Sequence, residues 1–282
     1  MAVSMLALTD DLVAESTGLR QLLTPLREPD WRRDTPAVGW TIADQVSHLA
    51  HFDDVAVQSA TDPDAFMAER TRVELEGGID PGRLAAPYRS MTGSALLGWF
   101  DEARRRLVAI FRGLDPAQRL PWYGPSMSAA SSLTARIMET WAHGQDVADT
   151  LGVSREPTAR LRHVAHIGVS ARAYSFAVNG LTMPDAPIRV ELAAPDGSTW
   201  TWGPNDAADR VGGAALDFCL AVTQRRHLDD LDLAVVGPHA RQWMGIAQAF
   251  AGPAGLGRTP GQFGRTRPDG KAPSAQTAGE PA

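Results

Sequence analysis

Glu139-Thr140-Trp141-Ala142-His143-Gly144-Gln145-Asp146-Val147-Ala148 sits in a helix-forming segment that runs from Ser128 to Leu151 and is ended by Gly152. Residues four apart on a helix project about 40° from each other, so Glu139 and His143 share one face. Far upstream, Asp44-Gln45-Val46-Ser47-His48-Leu49-Ala50-His51 supplies a second helical stretch. A carboxylate and a histidine one turn apart, joined by His48 from another helix, make three ligands and leave one position open. That is the donor pattern of a catalytic divalent-metal site rather than a closed structural one. Glu/His pairs at this spacing also occur by chance on solvated helices, so the weight of the pattern comes from the segments around it.

Working outward, residues from about Leu6 to Leu26 carry apolar positions at helical intervals, and a loop with Pro29, Trp31 and Pro36 follows. Thr41-Ile42-Ala43-Asp44 resembles a capping box and opens a helix running towards Ser59, with a short helix expected over 64–75. Met91 to Leu114 is a third long amphipathic segment, with Arg104-Arg105-Arg106 read as largely outward, and Ser128 to Leu151 is the fourth. Four such segments in the first half predict a helical bundle, where metal sites are built from facing helices. In an up-down arrangement the second and fourth would be diagonal neighbours across the core.

The second half changes character. A helix is expected from Pro157 to Asn179; then Ile188-Arg189-Val190-Glu191-Leu192 alternates, and Asp196-Gly197 signals a hairpin before Ser198-Thr199-Trp200-Thr201-Trp202. Helices over 214–224 and 238–251 complete a small α+β domain with two or three strands. The expected domains are 1–152, the bundle; 153–252, the α+β domain; and 253–282, a Gly- and Pro-rich tail read as disordered.

The 282 residues are 44% hydrophobic and 21% charged, as in a globular chain that buries a sizeable core. A net charge of −6 argues against nonspecific binding of nucleic acid or a membrane surface, and no run is long and apolar enough to span a bilayer. The N-terminus shows no signal-peptide pattern, and Cys219 as sole cysteine excludes a disulfide framework, so a cytoplasmic protein is expected.

Each candidate has a plainer reading. His48 alone could be a hydrogen-bonded core histidine, and Glu139 with His143 an exposed helix pair; together, across two bundle helices, they favour a metal. Asp146 shares the Glu139–His143 face, either fixing a ligand histidine, acting as a general base, or simply solvated. His51, one turn from His48, is a substitute ligand, a proton shuttle or polar lining. His163 and His166 fit a packed helix better than a second metal site. Cys219 lies in an apolar helix and reads as an inert thiol. Arg225 and Arg226 suit a helix C-terminus, and would equally suit a carboxylate-bearing ligand.

Trp40-Thr41-Ile42-Ala43-Asp44-Gln45-Val46-Ser47-His48-Leu49-Ala50 resembles the first motif of the DinB-like superfamily, and more closely its mycothiol-dependent maleylpyruvate isomerase branch. The stretch Glu139 to Ala148 is similar to the second motif of that branch, in which glutamate replaces one of the usual three histidines. Ala215-Leu216-Asp217-Phe218-Cys219-Leu220 with Arg225-Arg226 resembles the branch's small sterol-carrier-protein-like α+β domain. The resemblance implies a mainly α protein, with a DinB-like four-helix bundle preceding that domain. It implies His48, Glu139 and His143 as ligands, zinc or another divalent metal as the ion, and mycothiol as the thiol co-substrate. The region from Phe218 to Phe250 is more specialised, as in a sister subfamily.

The expected activity is thiol chemistry on a small electrophilic molecule, as isomerase or S-transferase, with Asp146 orienting a ligand or moving a proton. Arg225 or Arg226 would hold a carboxylate. The alternatives are a metal-dependent hydrolase and a non-catalytic, metal-containing binding protein whose C-terminal domain sequesters an apolar ligand. An ion-free helical scaffold would place His48 and Glu139 far apart.

Overall fold

Each long helix of the first half starts at a side chain that caps it. Ser4 accepts from the Ala7 amide ahead of α1 (Met5–Leu23). Thr41 and Asp44 form the reciprocal capping box of α2 (Ile42–Thr61), where Thr41 Oγ1 accepts from Asp44 N and the Asp44 carboxylate accepts from Thr41 N. Asp62 caps α3 (Pro63–Leu75), and α4 (Pro81–Ala85) follows. Thr92 caps α5 (Gly93–Phe111). A two-stranded hairpin, β1 (Arg119–Leu120) with β2 (Met127–Ser128), then delivers the chain to α6 (Ala129–Leu151). Gly152 ends α6 in the left-handed conformation (φ 68°), which a side chain would resist. This computed structural model describes residues 4–263, in two units, Met1–Arg155 and Glu156–Ala282.

In the first unit α1 and α2 each pack against both α5 and α6. The second and fourth long helices are therefore adjacent, and the diagonal placement expected of an up-down bundle is corrected. The reason is the connections: long segments separate the long helices, and none is obliged to lie beside its neighbour in sequence.

Among the described residues the bundle holds two large apolar cores and a smaller one of Phe52, Val55 and Phe66. One large core gathers Leu19, Ile42, Val46, Leu49, Leu96 and Phe100; the other gathers Leu12, Ala56, Leu107, Phe111, Leu133 and Ile137. Between them lies a polar layer centred on Arg104, which is 5% exposed. Arg104 Nε donates to Asp53 at 2.6 Å, and Nη1 donates to Ser16 Oγ at 2.6 Å and Thr140 Oγ1 at 3.0 Å. One arginine on α5 thus ties α2, α1 and α6 together. The outward reading of the Arg104–Arg106 run holds for Arg105 and Arg106 and is corrected for Arg104, because Asp53 supplies a charge inside the bundle that only a cation can match.

The second unit begins with α7 (Leu161–Ser170) and α8 (Arg172–Val178), broken at Ala171 where one helix was expected. The two pieces serve different partners, α7 packing on α9 and α8 on α10, so one axis cannot serve both. Strands β3 (Ile188–Ala193), β4 (Thr199–Trp202), β5 (Asp209–Ala214) and β6 (Leu233–Val236) form a sheet of order β4-β3-β5-β6, parallel only between β3 and β5. The alternation read in β3 is real: Ile188, Val190 and Leu192 are buried. The expected two or three strands become four. Gly212-Gly213 lies inside β5, where a Cβ on Gly213 would come within 2.8 Å of Asp232 O on the neighbouring chain segment. Helices α9 (Ala215–Val222) and α10 (Pro238–Met244) pack on the sheet.

The stretch expected to be disordered from 253 is held as far as residue 263: the Asp230 carboxylate accepts from Gly261 N, and Gln248 bonds Pro253 O and Gly255 N. The rest of that stretch, 264–282, lies outside the described residues. No helix among the described residues is long and apolar enough to cross a membrane.

Candidate metal centre

The adjacency of α2 and α6 brings His48, Glu139 and His143 together. Glu139 Oε2 lies 3.1 Å from His143 Nε2 and 3.4 Å from His48 Nε2, and the two imidazole centroids are 4.4 Å apart. One donor atom from each of the three lies within 4.8 Å of the others. Ligands about 2.0–2.1 Å from a tetrahedral ion stand roughly 3.3 Å from one another, so the spacing fits a single small divalent cation.

The hydrogen bonds behind these donors set their lone pairs. Thr35 Oγ1 donates to Trp40 O (2.8 Å) and so accepts from Gln45 Nε2 (2.8 Å). That orientation of the amide turns Gln45 Oε1 towards His143 Nδ1, with which it is in hydrogen-bond contact. An acceptor there requires a proton on Nδ1, which leaves the Nε2 lone pair facing Glu139. His48 Nε2 is buried without a hydrogen-bond partner among the described residues, although the Glu139 carboxylate is beside it. The His143 Nε2 lone pair and the Glu139 carboxylate repel each other, and a cation between them removes the conflict.

The surroundings keep the donors in the form a metal needs. Burial, with His143 alongside, pulls His48 from 6.5 down to about 3, so its imidazole is neutral at physiological pH. Burial alone would raise Glu139, but the contacts with His143 and His48 and the charge of Arg136 outweigh it and hold the carboxyl well below its ordinary value. Aromatic rings wall the site: Trp40 stacks on His143 (5.7 Å, 24°), and Phe52 lies 4.7 Å from His48. A small cavity lined by Trp40, His51, Phe52 and Leu84 reaches His48.

His51 is not among the three donors. Its Nδ1 is 3.3 Å from Tyr88 OH, at the cavity wall, and burial lowers its pKa. Asp146 is fully buried on α6, and its backbone carbonyl accepts from Thr150 Oγ1. Arg225 and Arg226 belong to the second unit: Arg225 Nη1 donates to Thr223 O (2.7 Å), and the Arg226 guanidinium lies 3.8 Å over the Phe263 ring. Among the described residues His163 and His166 join no three-donor group. Cys219 is buried, its Sγ 3.4 Å from Leu161 O, and burial pushes the thiol well above its ordinary range. Sequence reasoning missed Gln45 and Arg136. Gln45 stands one turn before His48 on α2, a signal that was available; Arg136 stands one turn before Glu139.

Fold and donors together define a helical bundle protein with a two-histidine, one-glutamate centre, followed by a small α+β unit. Comparison with known proteins agrees on the fold. A family profile described as the mycothiol maleylpyruvate isomerase N-terminal domain matches residues 12–148, and one described as wyosine base formation matches 184–236. An uncharacterized protein of Mycobacterium tuberculosis, present in two strains, is 49% identical over 250 residues, 88% of this chain and 96% of its own length. Crystal structures of the mycothiol-dependent maleylpyruvate isomerase and of a mutant of it superpose with TM-score 0.55 at 14% and 13% identity. They cover 83% of this chain and 93% of theirs, a likeness of fold. The chain belongs to one family with the uncharacterized Mycobacterium tuberculosis protein, and its residues 12–148 match the model of the mycothiol maleylpyruvate isomerase N-terminal domain.

Proposed function

We propose that the chain is a zinc-dependent enzyme that uses a low-molecular-weight thiol, mycothiol, on a small electrophilic molecule, as an isomerase or an S-transferase. The observation that carries the reading is the convergence of three donor groups, with His48 Nε2 buried and without a hydrogen-bond partner among the described residues. The solved neighbours, named as a mycothiol-dependent isomerase, supply the thiol.

His48, Glu139 and His143 would hold the metal, and Gln45 would fix the His143 ring. When bound there, a divalent metal supplies the Lewis acidity that makes a thiol nucleophilic at neutral pH. Trp40 and Phe52 exclude water from the donors, which strengthens every charge interaction among them. Asp146 is assigned to orienting a ligand or accepting the thiol proton, and Arg225 or Arg226 to a carboxylate of substrate or thiol. The domain limits near 152 and 252 are part of the same proposal, as is a cytoplasmic setting, which suits a lone, reduced Cys219.

A hydrolase would use the same donors on water. A binding protein without turnover would use the cavity beside α9 in the C-terminal unit, about 260 Å³, whose wall mixes Gln224, Arg226, His227 and Asp229 with Leu228, Met244 and Ile246. Elemental analysis of the purified protein tests the centre: one zinc per chain is expected, lost in His48→Ala and in His143→Ala. A chain that neither carries nor takes up zinc would end the catalytic reading.

A further inference from the structure

The cavity that reaches His48 admits no substrate as it stands. Its volume is about 10 Å³, room for roughly one water molecule. A thiol and an electrophile reach the donors only if a wall moves, and the walls differ in how firmly they are held. Ser47, His51 and Phe52 belong to α2, whose apolar residues enter both large cores. Trp40 is fixed through its carbonyl, which accepts from Thr35 N at 2.7 Å and Thr35 Oγ1 at 2.8 Å. The remaining wall, Leu84 and Ala85, comes from α4, a helix of five residues.

The ties of α4 to the bundle are few. Among the described residues, 79–87 forms no hydrogen bond to any residue outside 76–91. Gly82, Arg83, Ala86 and Pro87 are exposed, while Leu84 packs on the small core of Phe52, Val55 and Phe66. Just upstream, Gly77 and Gly78 stand at φ 96° and 85°, with no heavy atom within 4 Å of where a Cβ would be. That backbone favours glycine and has open space in which to turn. Two contacts fasten the closed position. Arg83 reaches back over the glycine pair, donating to Glu76 O (2.7 Å) and Gly78 O (3.1 Å). At the other end Tyr88 OH lies 3.3 Å from His51 Nδ1, and the Tyr88 ring is 4.5 Å from Trp99. Beyond it, Arg89 Nε donates to Asp44 Oδ1 at 3.2 Å and anchors the segment on the start of α2.

We infer that 77–88 is a lid over the metal position, with Gly77-Gly78 as hinge, Leu84 as plug, and Arg83 and Tyr88 as its two fasteners. The inference rests on the proposed function for what passes beneath the lid. Closed, the lid keeps bulk water from the donors; open, it lets the thiol and the electrophile in. Opening uncovers Leu84 and breaks the hydrogen bonds of Arg83 and Tyr88, leaving the two large cores intact, so it is a local event and not an unfolding of the bundle.

The test reads passage through the lid in the full chain. Zinc release to an excess of a chelating dye and zinc uptake by the stripped protein are timed for wild type, Tyr88→Phe and Arg83→Met. Tyr88→Phe keeps the ring and loses the hydroxyl; Arg83→Met removes the clasp from an exposed position. Losing one such hydrogen bond should speed both release and uptake by about two- to tenfold, with zinc affinity unchanged, because a lid alters the rate of passage and not the strength of the centre. Unchanged rates in both variants would overturn the lid, as would faster release matched by an equal loss of affinity. A wild type that takes up no zinc ends the proposed function and leaves the lid to a second readout. That readout is carbethoxylation of His48, whose Nε2 is buried, located by mass spectrometry in the same three proteins. The same acceleration is expected in the variants, and an equal rate in all three would end the proposal.

Discussion

At the scale of single residues, the centre depends on protons being where the hydrogen bonds put them. Gln45 is the residue that fixes the His143 tautomer, and it does so only because Thr35 has already spent its proton on Trp40 O. Gln45→Leu removes the acceptor and keeps the bulk, so zinc affinity should fall about 10- to 100-fold with little change in fold. Competition with a chelating dye measures it, and an unchanged affinity would refute the role. His48 makes a pH prediction. The unfolded chain protonates this histidine below 6.5, whereas the folded chain resists until about 3, so between those values the unfolded state binds the extra proton. Stability from this group is full above 6.5 and falls as the pH drops, by about 2 kcal/mol at pH 5 at roughly 1.4 kcal/mol per pH unit. Glu139 works in the same direction at lower pH, its contribution fading below its ordinary value of 4.5. Urea midpoints of the zinc-free protein at pH 7 and 5 should drop more for wild type than for His48→Leu.

Between helices, the polar layer matters most. Arg104 reaches all three other long helices from inside the bundle and separates one large apolar core from the other. Arg104→Met leaves Asp53 buried and uncompensated, a loss of about 3–5 kcal/mol. Adding Asp53→Leu should restore most of it, since a pair replaced by apolar groups of similar shape is often neutral. Denaturant unfolding of the two single variants and the double variant reads the coupling, and strict additivity would mean that the layer is not one unit. The layer also bears on the site: Thr140, which receives Arg104, is next to Glu139 on α6, so the interhelical tie and the donor face share a turn.

Over the whole molecule, the two units divide the proposed labour. The metal donors, Gln45, Arg136 and Asp146 all lie in Met1–Arg155, and Arg225 and Arg226 in Glu156–Ala282. The first unit contains its own caps and both large apolar cores, so a fragment ending at Arg155 should fold and take up one zinc, as judged by circular dichroism and elemental analysis. A fragment that is helical yet binds no zinc would show that the second unit takes part in building the centre.

The sequence determined the long helices, the hairpin at Asp196-Gly197 and the shared face of Glu139 and His143, because helical period, caps and turn residues are local and i,i+4 spacing fixes that face. It left β5 unread, where glycines hide a strand whose reason is a close neighbour, and it misread Arg104, whose exposure depends on Asp53 fifty-one positions away. Only the tertiary structure decided that α2 and α6 are adjacent rather than diagonal, that Gln45 stands behind His143, and that Arg136 Nη1 has no hydrogen-bond partner among the described residues. Those facts join residues far apart in the chain, and packing of whole helices, not the properties of any one segment, sets the distance between them.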